Sequence, residues 1–307
     1  MSKFIISGFY DEVSSSLTTQ FGLIKELGEK YICPRTINGK NISSYTLETF
    51  NKEVLPELKQ NNIEISTMGS PYGKININDE EKFCNQLLKL EETVKICKAI
   101  GCKYIRIFSF FMPKGEDYAK YHKDVIKKLR QMLVKVEGSD IILLHENEKH
   151  IYGDEPNRCI ALYKELNHPN FKLIYDPSNY IQCGYDPINA YNLTKEYTVE
   201  YHIKDCAATK VEVPLGMGEA HYSEILSDLD KRGYEGFLTL EPHTAKYAKA
   251  KIPLYLLPFM GFALKGWRKT FRFIDKALNK GAFTKVSERE VFVIQYHNLK
   301  NMLGNIK

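Results

Sequence analysis

The sequence predicts an α/β chain folded as a (β/α)8 barrel, and three observations carry that prediction. Eight short apolar or β-branched runs alternate with longer segments of helical spacing. The runs start about every 25 to 40 residues, the length of one strand, one helix and two loops. The turn after the first run reads SGFYDE and lacks the GxGxxG that a dinucleotide-binding, doubly wound sheet places there. A chain of 307 residues, 43% hydrophobic, is large enough to bury one such barrel.

Taken in order, the first two strands are expected at Phe4 to Phe9 and Lys30 to Cys33, and the third at Ile63 to Met68. Leu87, Leu88, Val94, Ile96 and Cys97 fall at helical spacing within Glu81 to Ile100. The fourth strand, Tyr104 to Phe110, is followed by a second amphipathic helix over Tyr118 to Val136, marked by Val125, Ile126, Leu129, Leu133 and Val136. Strands five to eight are expected at Ile141 to Glu146, Phe171 to Asp176, Thr198 to Asp205 and Gly236 to Glu241. Beyond Glu241 the pattern loosens into a Pro-rich apolar loop, IPLYLLPFMGFAL, then a last barrel helix from about Leu264 to Asn279 and an amphipathic tail from Glu288 to Leu303. No composition shift marks a second domain. Residues 1–282 therefore read as the barrel and 283–307 as a short helical extension of the same domain.

Composition excludes several classes. The formal charge of +5 is small against 43 basic and 38 acidic residues, so no nucleic-acid partner is expected. The amino terminus reads as a strand and not a signal peptide, and the longest apolar run is broken by Pro253, Pro258 and Gly261, short of the about 20 residues a spanning helix needs. No membrane partner is expected on that ground. Seven cysteines without a CxxC pair fit a reducing cytoplasm better than a disulfide framework or zinc ribbon. The apolar loop from Ile252 to Leu264 reads as a lid over the barrel mouth or as a patch for homo-oligomerisation.

Strand ends carry the chemistry. Strands five to eight finish ILLHE, LIYD, EYHIKD and LTLEPH. The carboxyl ends of barrel strands form the open mouth, and side chains alternate across a strand, so Glu146, Asp176, His202 and Glu241 are expected to converge. Any one acid there is ordinarily a helix cap, but four successive strands ending this way are not explained by capping. Three carboxylates and one imidazole suit a hard or borderline divalent ion: Mn²⁺, Mg²⁺, Co²⁺ or Zn²⁺.

These motifs, with SPYGK, IRIFSFF, HENEKHIYGD, YDPSNYIQCG, HIKD and LEPH, make the chain resemble the sugar phosphate isomerase/epimerase family with the xylose isomerase-like TIM barrel, over about residues 4 to 280. The resemblance implies a single ion held by Glu146, Asp176, His202 and Glu241, the positions reached by alternation. It departs at Asn179, where ketose epimerases carry His, and at Glu219 of the LGMGEAHY loop, where they generally carry Asp. The expected activity is proton abstraction beside a ketose carbonyl with an enediolate intermediate, Glu146 and Glu241 serving as proton carriers. Lys204, Asn179, Arg106 and Lys74 are the expected substrate contacts, each with a plainer reading. Lys204 could instead neutralise the acidic pocket, Asn179 make an Asx turn, Arg106 pair with Glu146, and Lys74 be a solvated loop lysine. His145, of opposite parity to Glu146, is expected to be structural. A keto-inositol-type dehydratase and a non-catalytic sugar-binding barrel are the alternatives. An endonuclease IV-type trinuclear site is not expected, since Met68, Ser109 and Asn179 stand where further histidines are needed.

Overall fold

The computed structural model describes residues 3–243, 245–256 and 265–306. Eight strands run parallel around one axis: β1 (Lys3–Gly8), β2 (Tyr31–Ile32), β3 (Thr67–Tyr72), β4 (Tyr104–Ile107), β5 (Ile142–Glu146), β6 (Phe171–Tyr175), β7 (Thr198–Ile203) and β8 (Glu235–Leu240). Seven form a continuous sheet in the order β1-β8-β7-β6-β5-β4-β3. β2 fills the gap between its two ends. The Cys33 N–H donates to the Gly8 carbonyl at 2.9 Å on one side, and on the other the Ser66 and Gly69 N–H groups donate to the carbonyls of Ile32 and Pro34.

Two expectations about element position are corrected. The third strand lies four residues later than its apolar run suggested; Glu64–Ile65, within that run, pairs instead with β2. The SPY sequence resembles a turn, yet it pairs with β4 because a register shift between Met68 and Tyr72 absorbs Pro71. Part of the expected apolar loop is helical, with Pro253 inside a helix over Ala245–Leu256; residues 257–264 of that loop lie outside the described residues.

The helices covering the strands are α1 (Leu17–Glu26), α2 (Leu47–Glu53), α3 (Leu55–Asn61), α4 (Glu80–Ile100), α5 (His122–Val134), α6 (Pro156–Leu166), α7 (Pro177–Cys183), α8 (Pro187–Thr194) and α9 (Tyr222–Lys231). They are followed by α10 (Ala245–Leu256), α11 (Lys265–Ala277) and α12 (Glu288–Gly304). α12, not the 264–279 segment, packs on the barrel: its Phe292, Tyr296 and Leu299 join the main core, with Phe292 centred 4.8 Å from Tyr10. Buried Gln295 ties α12 to the Ile203 carbonyl at the end of β7. Phe271 and Ile274 of α11 instead join Tyr247, Val211, Val213, Val286 and Val291 in a second, smaller core. That core lies over the hairpin after β7, where Asp205–Cys206 pairs with Glu212–Val213.

Inside the barrel a polar layer crosses the axis. Glu200 of β7 accepts from Thr67 of β3 at 2.5 Å and from Thr239 of β8 at 2.6 Å. All three are fully buried, so these bonds satisfy a carboxylate that would otherwise be costly to desolvate. This layer is the floor of the mouth.

Candidate active site

Glu146 is the last residue of β5 and Asp176 directly follows β6; His202 lies on β7 and Glu241 directly follows β8. Alternation turns all four toward the axis. One ligand-type atom from each lies within 4.8 Å of the others, and all four residues are buried. The His202 Nδ1 stands 3.3 Å from Glu146 Oε1 and 3.2 Å from Glu241 Oε2. Neither contact is aligned as a hydrogen bond, and both ring nitrogens lack a hydrogen-bond partner. An unpartnered imidazole nitrogen facing carboxylate oxygens fits a divalent cation placed between them. The other nitrogen, Nε2, faces Glu200 at 3.7 Å, the direction from which a ligating ring is commonly oriented.

The surrounding charges act unequally on the carboxylates: burial raises Asp176 to about 6 in spite of Lys204 beside it, whereas the two glutamates are held down. Burial alone would raise the Glu146 pKa, but His202 and Arg106 outweigh it and hold it down to about 2. Glu241 is likewise held well below the carboxylate range by Lys204 and His243 against the effect of burial. Burial opposes a charged His202, yet Glu146, Glu200 and Glu241 raise its pKa well above the usual value.

Each expected contact has a definite place. Arg106, 4% exposed, bonds Glu146 Oε2 through Nη1 at 3.0 Å, the Gly69 carbonyl through Nη2 at 3.0 Å and the Ser70 carbonyl through Nε at 3.3 Å. Its ion-pair reading is the one the geometry supports. Lys204 Nζ lies 2.6 Å from Asp176 and 3.3 Å from Glu241, between two carboxylates of the cluster. Asn179 donates its backbone N–H to Asp176, which thereby caps α7, and its amide to the Asn147 carbonyl at 2.8 Å; its buried Oδ1 accepts no hydrogen bond. Lys74 lies in the loop after β3 with its side chain 31% exposed, where it pairs with Glu148 at 2.9 Å and sits 4.3 Å above the Phe108 ring. His145 points out of the barrel to Ser109 Oγ at 2.9 Å, and burial lowers its pKa to about 4, so it is neutral.

Asp205 builds the loop beside the mouth. Its carboxylate accepts from the N–H groups of Cys206, Gly216, Gly218 and Ala220, at 2.8 to 3.1 Å. A Cβ on Gly218 would stand 2.2 Å from Asp205 Oδ1, which explains a glycine there. The LGMG glycines thus wrap a protein carboxylate.

Sequence reasoning missed the mouth's other half. Arg35, after β2, reaches Asp11 at 3.1 Å, Glu12 at 3.4 Å and Glu241 at 3.1 Å, and stacks 4.5 Å from the Phe9 ring. His243 Nε2 lies 3.3 Å from Glu241. The signal was present: FYDE, CPR and EPH also follow strands one, two and eight.

A parallel barrel with a buried carboxylate and imidazole cluster at four successive strand ends defines a class of barrels able to hold a metal in the mouth. A family model described as the xylose isomerase-like TIM barrel matches residues 21–277, and the chain belongs to that family. A 3-dehydroshikimate dehydratase of Bacillus anthracis is 24% identical over 229 residues, covering 68% of this chain and 80% of the relative. Among solved structures, a xylose isomerase-like barrel protein from Mycobacterium smegmatis in complex with magnesium superposes with a TM-score of 0.68 at 14% identity, over 99% of this chain and 97% of that one. D-psicose 3-epimerase with D-tagatose, from Clostridium cellulolyticum H10, superposes with a TM-score of 0.66 at 14% identity over 99% of each chain.

Proposed function

We propose that the protein is a divalent-metal-dependent isomerase or epimerase of a sugar or sugar phosphate, acting by proton transfer at the carbon beside a carbonyl. The observation that carries this reading is the buried meeting of Glu146, Asp176, His202 and Glu241 from consecutive strands. These four would hold one Mn²⁺, Mg²⁺, Co²⁺ or Zn²⁺. When bound, such an ion supplies positive charge beside the carbonyl oxygen and so acidifies the neighbouring C–H.

The protein's own groups divide the remaining work. Glu146 and Glu241, from β5 and β8, are the proton carriers, Glu146 kept ionised by His202 and Arg106 and Glu241 by Lys204 and His243. If both act from opposite faces the carbon inverts; return by one group to the adjacent carbon isomerises the sugar. Asp176 is committed to the α7 cap and to Lys204, which leaves it as a ligand. Asn179 Oδ1 is free to accept from a substrate hydroxyl, and Lys204 can donate to a substrate oxygen. Arg106, tied to three acceptors, orients Glu146, and Lys74 with Glu148 forms the rim. The seven free cysteines suit the reducing cytoplasm.

The test is solvent deuterium incorporation by the Mn²⁺-loaded protein across ketoses, keto-inositols and their phosphates. Glu146→Gln and Glu241→Gln should each slow exchange about 10²- to 10⁴-fold with unchanged circular dichroism. Full exchange in either variant removes that carboxylate from the mechanism. The dehydratase relative favours a second reading with the same first step, loss of water in place of proton return; a product lighter by one water would establish it. Protein purified without chelator and free of any divalent ion would favour a non-catalytic sugar-binding barrel.

A further inference from the structure

The chain's positive charge is concentrated. Residues 245–285 hold ten of its 43 basic residues and one of its 38 acidic ones, so the rest of the molecule carries more acids than bases. The single acid, Asp275, is 5% exposed and turned inward, accepting from the Tyr247 hydroxyl at 2.6 Å. Phe271 and Ile274 also face inward, fully buried. The opposite face of α11 presents Lys269, Arg272 and Lys276, all exposed, around Phe273, which is 52% exposed. Leu256 at the end of α10 and Phe283 beyond α11 are each 62% exposed.

Two nearby cations have partners, Lys249 with Glu288 at 3.1 Å and Lys280 with Glu290 at 2.6 Å. Among the described residues no carboxylate pairs with Lys269, Arg272 or Lys276. Such a face, cationic with the large apolar Phe273 projecting through it and with Leu256 and Phe283 exposed on the neighbouring segments, matches a surface of negative charge over an apolar interior. A nucleic acid would satisfy the cations but would leave Leu256 without a partner. We propose that the outward face of α11, with the end of α10, docks this protein on an anionic lipid bilayer. Docking requires no spanning segment, and no helix among the described residues is long and apolar enough to cross a membrane. The expectation of no membrane partner rested on spanning alone. Because Thr270 of α11 bonds Thr209 of the hairpin after β7, at 2.6 Å, the docking face belongs to the cap beside the mouth.

The test is co-sedimentation of the full chain with phosphatidylcholine vesicles, with and without about 30 mol % phosphatidylglycerol. The anionic vesicles should bind at least about tenfold more protein, and raising NaCl from about 0.1 M to 1 M should reverse most of that gain. The combined variant Lys269→Glu, Arg272→Glu, Lys276→Glu should fall to the level of neutral vesicles. Phe273→Ser should weaken binding about three- to tenfold with the salt dependence retained. Circular dichroism and Mn²⁺ affinity of both variants serve as folding controls. Equal binding to both vesicle types, or an unaffected charge-reversal variant, overturns the proposal. So does tighter binding to duplex DNA than to anionic vesicles, or a dimer that Phe273→Ser dissolves.

Discussion

Arg106 sits where β3, β4 and β5 meet the site. Its guanidinium bonds the Gly69 and Ser70 carbonyls as well as Glu146, and lies 4.9 Å and 5.1 Å from the Phe9 and Phe108 rings. A lysine could keep the charge but not the fork. Arg106→Lys should therefore lower Mn²⁺ affinity about 10- to 100-fold in titration calorimetry, the usual cost of losing a group that orients a ligand. An unchanged affinity would separate Arg106 from the metal site. Asp205 makes a different prediction. Four backbone N–H groups depend on its carboxylate, so Asp205→Ala should lower unfolding stability by roughly 3 kcal/mol in urea titrations. At this scale parity along a strand was enough to find Glu146, Asp176, His202 and Glu241. Arg35 and His243 escaped because their approach to Glu241 depends on how the loops after β2 and β8 fold, which side-chain alternation does not describe.

Between elements, close approach sets what each position tolerates. Gly73, with φ of +87°, directly follows β3 where a Cβ would lie 2.0 Å from the Phe108 carbonyl oxygen after β4. Gly73→Ala should cost more than about 2 kcal/mol, because the left-handed backbone and the clash must both be relieved; a loss under about 0.5 kcal/mol in thermal melts would contradict this geometry. The strand and helix alternation was legible where a strand is apolar on its outer face, as with Ile105 and Ile107 of β4, and where a helix keeps an apolar stripe, as with Val125, Leu129 and Met132 of α5. The assignment of the last barrel helix was not legible. α11 and α12 both carry such a stripe, and only three-dimensional packing decides that Phe292 and Leu299 meet the strands while Phe271 and Ile274 meet the hairpin after β7.

For the molecule as a whole, burial governs thiol chemistry. Cys84 is exposed and Cys183 partly so, whereas Cys33, Cys97, Cys102, Cys159 and Cys206 are buried. Burial pushes the Cys159 and Cys206 thiols up to about 12, so raising the pH from about 7 to 9 leaves them protonated and poorly nucleophilic. Alkylation followed by mass spectrometry should label Cys84 first at either pH, and all seven only in denaturant. Early labelling of Cys159 would mean that the helical layer over β5 and β6 opens readily.

The separation of the two hydrophobic clusters has a consequence for how the chain comes apart. Tyr247, Phe271 and Ile274 share no cluster with the eight barrel strands, so the annex they stabilise can melt while the cylinder stays closed. Amide exchange should then release 245–256 and 265–285 in an early, independent phase and the strand amides in a late one. Protein held to a bilayer through that annex would then keep its eight staves closed even while the annex itself opens and recloses.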